Sequence, residues 1–186
     1  MYSMVQAGSM GLPFIAVRGL LASDILTYRP EFLVRDNPFN PGEPVVLARP
    51  IRPDVAAFHA LQADRWGNAI TPGKRDDLML ARAARLSVVT AEEVVDRTLT
   101  VVDAGYNTFL PAIDVDVVAH APFGAHPCGC GPLYPRDDAH CRHYIEAAKD
   151  EASFKAYLER YVYGLPSHSA YLDQVGISTS RSGPSA

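Results

Sequence analysis

The stretch DDLMLARAARLSVVTAEEVVD, residues 76–96, decides how the rest of the chain is read. Its first half repeats apolar side chains at helical spacing. Leu78, Leu80, Ala81 and Ala84 form one stripe, and Asp76 stands where an N-cap belongs, so a helix is expected over 76–85. Residues 86–89 lose that spacing and become short, apolar and β-branched, which predicts a buried strand directly after the helix. Thr90-Ala91-Glu92-Glu93 then matches the capping box of a new helix and also fits a continuation of the strand. As a helix start, Glu92 and Glu93 are end charges with no chemistry assigned to them.

Outward from this unit, strands and helices keep alternating. Residues 14–17 read as a short buried strand, and 45–48 and 55–59 as adjacent strands separated by Arg49-Pro50-Ile51-Arg52-Pro53. The run RDNPFNPGEP, 35–44, holds three prolines and reads as a loop. Arg65-Trp66-Gly67-Asn68 reads as a turn, and 115–119 as a further strand. Met1, Met4, Val5 and Gly8 give the end of a helix, which Gly11 and Pro13 stop. From Asp137 the spacing is helical. Tyr144, Ile145 and Ala148 form one stripe, and Phe154, Tyr157, Leu158, Tyr161 and Val162 a second, with Asp150 and Ser153 marking the break. Residues 177–186 have no apolar period and are expected as a disordered tail, leaving one domain over 1–176. Alternating elements point to an α/β fold with a mostly parallel sheet flanked by helices.

The chain has 186 residues, 48% of them hydrophobic, with a net charge of −4. That suffices for a core, and scattered Lys and Arg argue against nucleic-acid or polybasic membrane binding. No apolar run reaches the length of a membrane span, and the N-terminus lacks the pattern of a signal peptide, so a cytoplasmic location is expected. Cys128, Cys130 and Cys141 are then free thiols rather than a disulfide framework.

Five segments carry a resemblance: GLPFIAVRGLLASD (11–24), NPFNPGEPVVLARPIRPDVAAFHALQADRWGNA (37–69), residues 76–96, DVDVVAHAPFGAHPCGCGPLYPRDD (114–138) and FKAYLERYVYGLPSHSAYLDQVG (154–176). The most specific parts are His-x-x-x-Ala-Asp-x-x-Gly-Asn at 59–68 and Ala-Pro-Phe-Gly-Ala-His-Pro at 121–127. Together they resemble the A (alpha) subunit of the family I coenzyme A transferases of the glutaconate type. The resemblance implies that family's α/β fold, N-terminally truncated. In the family a further stretch precedes Leu-Pro-Phe and holds the first strands and a glycine-rich loop. The partner it implies is a B (beta) subunit. The substrates it implies are an acyl-CoA and a carboxylic acid, with no cofactor, coenzyme A itself being a substrate.

The family reaction uses a glutamate carboxylate that attacks the acyl-CoA thioester, forms an anhydride and then carries coenzyme A as a glutamyl thioester. In the glutaconate type that glutamate belongs to the B subunit. No Glu of this chain has a matching glycine-flanked context, so no catalytic residue is assigned here. A side branch of the family hydrolyses CoA esters in steroid-ring degradation, which gives the alternative activity.

Four residues are candidates for substrate binding. Arg18 follows the Leu-Pro-Phe strand and can clamp a carboxylate at the end of the sheet; its plain alternative is a surface pair with Asp24. Ser23 can donate to substrate or simply form a turn. Asn68 closes the 64–68 turn, whose default role is structural. His126 precedes Pro127 in the cleft-side loop. Around it, Cys128, Cys130, Cys141, His140 and His143 can be imagined as a zinc site of a non-catalytic remnant, but Cys-x-Cys spacing is awkward for one metal, and no metal is assigned. His140 and His143 are instead expected on an exposed helix face, His59 as a hydrogen-bonded core residue, and Trp66 packed on the core.

Overall fold

Strand β6 (Leu86–Val95) lies within a five-stranded sheet, between two parallel neighbours. The β-branched run does not stop at Val89: it passes through Thr90, Glu92 and Glu93, and pairing on both sides holds it extended. On one side it runs parallel to β4 (Val55–Asp64), from Val55 opposite Leu86 to Asp64 opposite Val95. On the other it runs parallel to β8 (Val117–His120). Beyond β4 the sheet continues with β5 (Ala69–Thr71) and β7 (Thr108–Leu110), both antiparallel to their neighbours. The α/β class stands with a mixed sheet, parallel at β4–β6–β8 and antiparallel at the other edge. Thr90–Glu93 is strand, so its capping-box pattern has no helix to cap. The capping box lies at Thr100–Asp103, opening α4 (Val101–Ala104).

This computed structural model describes residues 1–177, so residues 178–186 of the expected tail lie outside the described residues. Among the described residues no helix is long and apolar enough to cross a membrane.

One face of the five-stranded sheet carries a core dominated by alanine: Ala60, Ala63, Ala69 and Ala91 with Val89 and Leu110, all buried. These small side chains let α3 (Asp77–Ala83) settle close to the strands through Ala81 and Leu78. Asp76 holds the N-cap position of α3 without a side-chain bond, while Asp77 accepts from the Thr71 hydroxyl at 2.6 Å and ties the helix to β5. Helix α1 (Tyr2–Ser9) rests on α3 and buries Met4, Val5, Ala7 and Gly8. It ends as its sequence predicts, with Gly11 at φ +70° and Leu12 N–H donating to Ala7 O at 2.9 Å.

A second, three-stranded antiparallel sheet has the order β1 (Ile15–Val17), β3 (Asn40–Ala48), β2 (Phe32–Asn37). Two expectations fail here. Residues 35–44 are a β-hairpin rather than a loop. The strand over 45–48 belongs to this sheet and not beside 55–59. Pro50 and Pro53 cannot donate to a ladder, and Ile51 N–H between them bonds Met4 O at 2.9 Å, so the chain leaves one sheet along α1 before entering the other. Strand β1 is also half-exposed rather than buried. Between β1 and β2 in sequence lies the short α2 (Ile25–Tyr28).

After β8 comes a turn-rich segment, 121–137, then α5 (Asp138–Ala147), α6 (Glu151–Leu158), a π-helical turn (Glu159–Tyr163) and α7 (His168–Gln174). Asp137 and Asp150 cap α5 and α6 by accepting from His140 N and Ser153 N. The buried side of α5 is His140 and Ala147; the expected stripe of Tyr144, Ile145 and Ala148 faces out. Helix α6 approaches α5 through Tyr157, whose hydroxyl takes His140, and this contact sets the buried face instead of the apolar period.

Candidate functional site

The late residues of β4 and β6 and the last residue of β8, at the carboxyl ends of the three parallel strands, open onto a cavity of about 740 Å³. Open α/β sheets present ligand sites at this end because successive loops diverge there. Gln62, Glu93 and His120 supply polar wall, and Leu61, Ile70 and Leu133 supply apolar wall. Glu93 is exposed and accepts from Gln62 Nε2 at 2.6 Å across the β4–β6 pairing.

Glu92 organises the rim. Thr90 and Glu92 alternate onto the sheet face opposite the alanine core, where His59 of β4 also points. Glu92 Oε1 pairs with His59 Nε2 at 2.6 Å and accepts a hydrogen bond from the Tyr134 hydroxyl. Its Oε2 accepts from Phe123 N–H at 2.7 Å. The other ring nitrogen of His59 meets Thr90 Oγ1 at 2.8 Å. Phe123 sits at φ +56°, an uncommon left-handed backbone for a bulky residue, and the carboxylate holds its N–H there. Gly124 follows because a side chain would strike His59: a Cβ there would lie 2.8 Å from its Cε1. Phe123 and Tyr134 pack with their rings tilted by 32°, 4.8 Å between centroids. One half-buried carboxylate therefore pins both ends of residues 123–134 over the sheet. Burial and the Glu92 hydrogen bond raise the Tyr134 phenol far above its ordinary value, and burial with the Glu92 charge pushes the Cys130 thiol up to about 11, so both stay protonated beside it.

A family model described as coenzyme A transferase matches residues 1–120. The chain belongs to the coenzyme A transferase family. It is 35% identical over 191 aligned residues to the A subunit of glutaconate CoA-transferase of Acidaminococcus fermentans, covering 94% of this chain and 59% of that one. The crystal structure of glutaconate coenzyme A-transferase from the same organism superposes with a TM-score of 0.85 at 33% identity, covering 94% of this chain and 60% of that chain. The A subunit of 3-oxoadipate CoA-transferase of Pseudomonas knackmussii is 33% identical over 167 residues, covering 89% of this chain and 57% of the relative. A cholesterol ring-cleaving hydrolase IpdA subunit of Rhodococcus jostii is 31% identical over 169 residues, covering 86% of this chain and 57% of the relative. The chain thus spans less than two thirds of the length of these relatives.

In this coenzyme A transferase chain, the four residues the sequence nominates are not brought together, and none of them lines the cavity. Arg18 follows β1, which belongs to the antiparallel sheet, so it does not stand at the carboxyl end of a parallel strand. Its side chain is 91% exposed and pairs with Glu43 at 3.4 Å, not with Asp24. Ser23 accepts from Ile25 N–H in an exposed turn. Asn68 is spent on structure: its Nδ2 donates to Asp64 Oδ2 at 2.8 Å and its Oδ1 accepts from Ala112 N–H at 2.9 Å. Gly67, at φ +105°, makes the turn possible.

His126 is buried in a second polar cluster. Its Nδ1 meets the Tyr171 hydroxyl at 2.6 Å, and its Nε2 faces Asp137 Oδ2 at 3.3 Å. Neighbouring His140 is buried rather than on an exposed face, with Nε2 on the Tyr157 hydroxyl at 2.7 Å. His143 does lie exposed, and His59 is the hydrogen-bonded interior residue expected. Trp66 is 47% exposed, and the Arg65 guanidinium lies 4.5 Å over its ring. The cysteines do not form a single cluster with the histidines. Cys128 is exposed, Cys130 faces His59 and Glu92, and Cys141 approaches Pro127 O.

Sequence reasoning missed Glu92 and Tyr134. For Glu92 a signal existed, since Val88, Val89, Thr90, Val94 and Val95 form one β-branched run through it. For Tyr134, 42 residues away, none did.

Proposed function

We propose that this chain is part of the A subunit of a heteromeric coenzyme A transferase that moves coenzyme A between an acyl-CoA and a carboxylic acid. The observation that carries this reading is the match to the A subunit of glutaconate CoA-transferase over nearly all of the chain, in sequence and in fold. Coenzyme A is then a substrate and no further cofactor is required. The nucleophilic carboxylate comes from a B subunit: it attacks the thioester carbonyl and releases the coenzyme A thiolate. That thiolate then attacks the resulting acyl-glutamyl anhydride at the glutamyl carbon and expels the free acid. The bonding of Glu92 supports this division, because donors already occupy both of its oxygens. The cavity at the strand ends would take part of the substrate, its acyl chain against Leu61, Ile70 and Leu133. A cytoplasmic location belongs to the same proposal.

The hydrolase likeness favours a second reading, in which water instead of an acceptor acid attacks the glutamyl–coenzyme A thioester, releasing free coenzyme A and the glutamate carboxylate. One experiment separates them. The chain is co-produced, within its full reading frame, with the B subunit, and the complex is given acyl-CoA with and without an acceptor acid. New acyl-CoA that forms only with the acceptor and only with both subunits supports the transferase. Free coenzyme A without an acceptor supports the hydrolase. No turnover of any short-chain, dicarboxylic or ring-derived acyl-CoA by the complex, or turnover by this chain alone, would overturn the proposal.

A further inference from the structure

The cluster around His126 lies outside the cavity and has no part in the reaction proposed above. Its geometry suits a metal better than a hydrogen bond. Asp137 caps α5 by accepting His140 N–H on Oδ1 at 2.8 Å. This fixes the carboxylate plane and leaves Oδ2 aimed at His126 Nε2, 3.3 Å away. That is long for a charge-assisted hydrogen bond, which closes to about 2.7–2.9 Å. It matches the separation of two donors on one tetrahedral zinc ion: bonds of about 2.0–2.1 Å at tetrahedral angles put the donors about 3.3–3.4 Å apart. One donor atom each from His126, Asp137 and His140 falls within 4.8 Å of the others.

We propose that His126 Nε2, Asp137 Oδ2 and His140 Nδ1 bind one divalent first-row transition ion, zinc being the ion whose ligand and geometry preferences this set meets. His140 offers Nδ1 because Tyr157 takes its Nε2 at 2.7 Å. Each histidine has its second nitrogen on a tyrosine hydroxyl, Tyr171 for His126 and Tyr157 for His140. This outer shell fixes tautomer and ring orientation at metal sites. Access is graded in the same sense: the His126 side chain is 6% exposed and that of Asp137 39%, so an ion enters past the carboxylate and keeps a water on its fourth position. The other trio, His59, Glu92 and Cys130, is less suited because donors outside it, the Phe123 N–H and the Tyr134 hydroxyl, already hold both Glu92 oxygens. The bound ion would lock the 121–137 segment to α5 and, through Tyr171, to α7. It is a structural pin rather than a reaction centre.

The test is metal binding by the full chain, cleared with chelator and dialysed against Zn²⁺ or Co²⁺. One equivalent of zinc by elemental analysis is expected, with intense visible d–d bands for cobalt and no thiolate-to-cobalt charge-transfer band. Asp137→Asn and His126→Gln should abolish stoichiometric binding. Tyr171→Phe, which leaves all ligands in place, should weaken it by about 10–100-fold. Circular dichroism of each variant reports its fold, and only folded variants are scored; Tyr171→Phe keeps the ring that packs against His126. Substoichiometric metal in the wild type, a thiolate charge-transfer band, or unchanged affinity in folded Asp137→Asn overturns the proposal.

Discussion

The two sheets of this chain are built from similar β-rich sequence and differ in what covers them. In the five-stranded sheet, Ala60, Ala63, Ala69, Val89, Ala91 and Leu110 are sealed between α3 and the strands. In the three-stranded sheet only Val46 and Ala48 are buried, while Phe14, Leu33, Val34 and Phe39 remain exposed. The polar chemistry follows the same division. Asp64 is fully buried and Glu92 partly so, and each gathers several donors. The Arg18–Glu43 pair, with an almost fully exposed arginine, is of the kind worth little in solution. Burial, more than strand propensity, decides where a sheet can hold an oriented polar group.

The largest test of that contrast is Asp64→Ala. Its buried carboxylate accepts from Trp66 N, Asn68 N, Asn68 Nδ2 and Leu99 N at 2.8–3.0 Å. Removing it strands buried donors, for an expected loss of about 3 kcal/mol in urea unfolding. A loss below about 1 kcal/mol would break the comparison. The same residue gives a pH dependence. Burial works to raise the Asp64 carboxyl, but its hydrogen bonds together hold it below the ordinary value. A depressed folded pKa stabilises above the unfolded value and loses that contribution as pH falls. The gap between wild type and Asp64→Ala should therefore be full at neutral pH and shrink below about pH 4.

Next in size, Glu92→Gln should cost about 2 kcal/mol, because an amide cannot accept from His59, Tyr134 and Phe123 together. The localised readout is faster proteolysis within 121–137, with hydrogen exchange rising more there than in β4. Exchange that rises equally throughout would make Glu92 a general core residue instead of a latch. Thr100→Ala removes the cap of α4 and should cost about 1 kcal/mol, with a lower urea midpoint and an unchanged slope. Smallest is Phe39→Ser at the tip of the β2–β3 hairpin, where the ring is 96% exposed: a change within about 0.5 kcal/mol is expected. A loss above about 2 kcal/mol would place Phe39 in a packed surface and erase the contrast between the sheets.

Features with a local cause could be read in advance. Asp137 and Asp150 cap their helices because a carboxylate needs only the N–H three residues on, and α3 follows from its own apolar period. The β2–β3 hairpin was hidden by Pro41 and Pro44. They are tolerated because β1 reaches only Val46–Ala48, so one side of residues 40–45 has no partner to lack their N–H groups. There Glu43 gathers the side-chain amides of Asn37 and Asn40 and steadies the turn. Of the site, His59 was legible as an interior histidine. The role of Glu92 was not, because Thr90–Glu93 satisfies two local patterns equally and only pairing with β4 and β8 chooses between them.

Residue order alone settles the family, the α/β class and the starts of α3, α5 and α6, since these rest on motifs and on contacts a few positions apart. Folding in three dimensions had to settle how the strands divide into two sheets, where the cavity opens, and which of the histidines and carboxylates meet. Those outcomes depend on partners 11 to 45 residues distant, such as His126 with Asp137, Glu92 with Phe123 and His126 with Tyr171, whose approach is fixed by packing and not by any local preference.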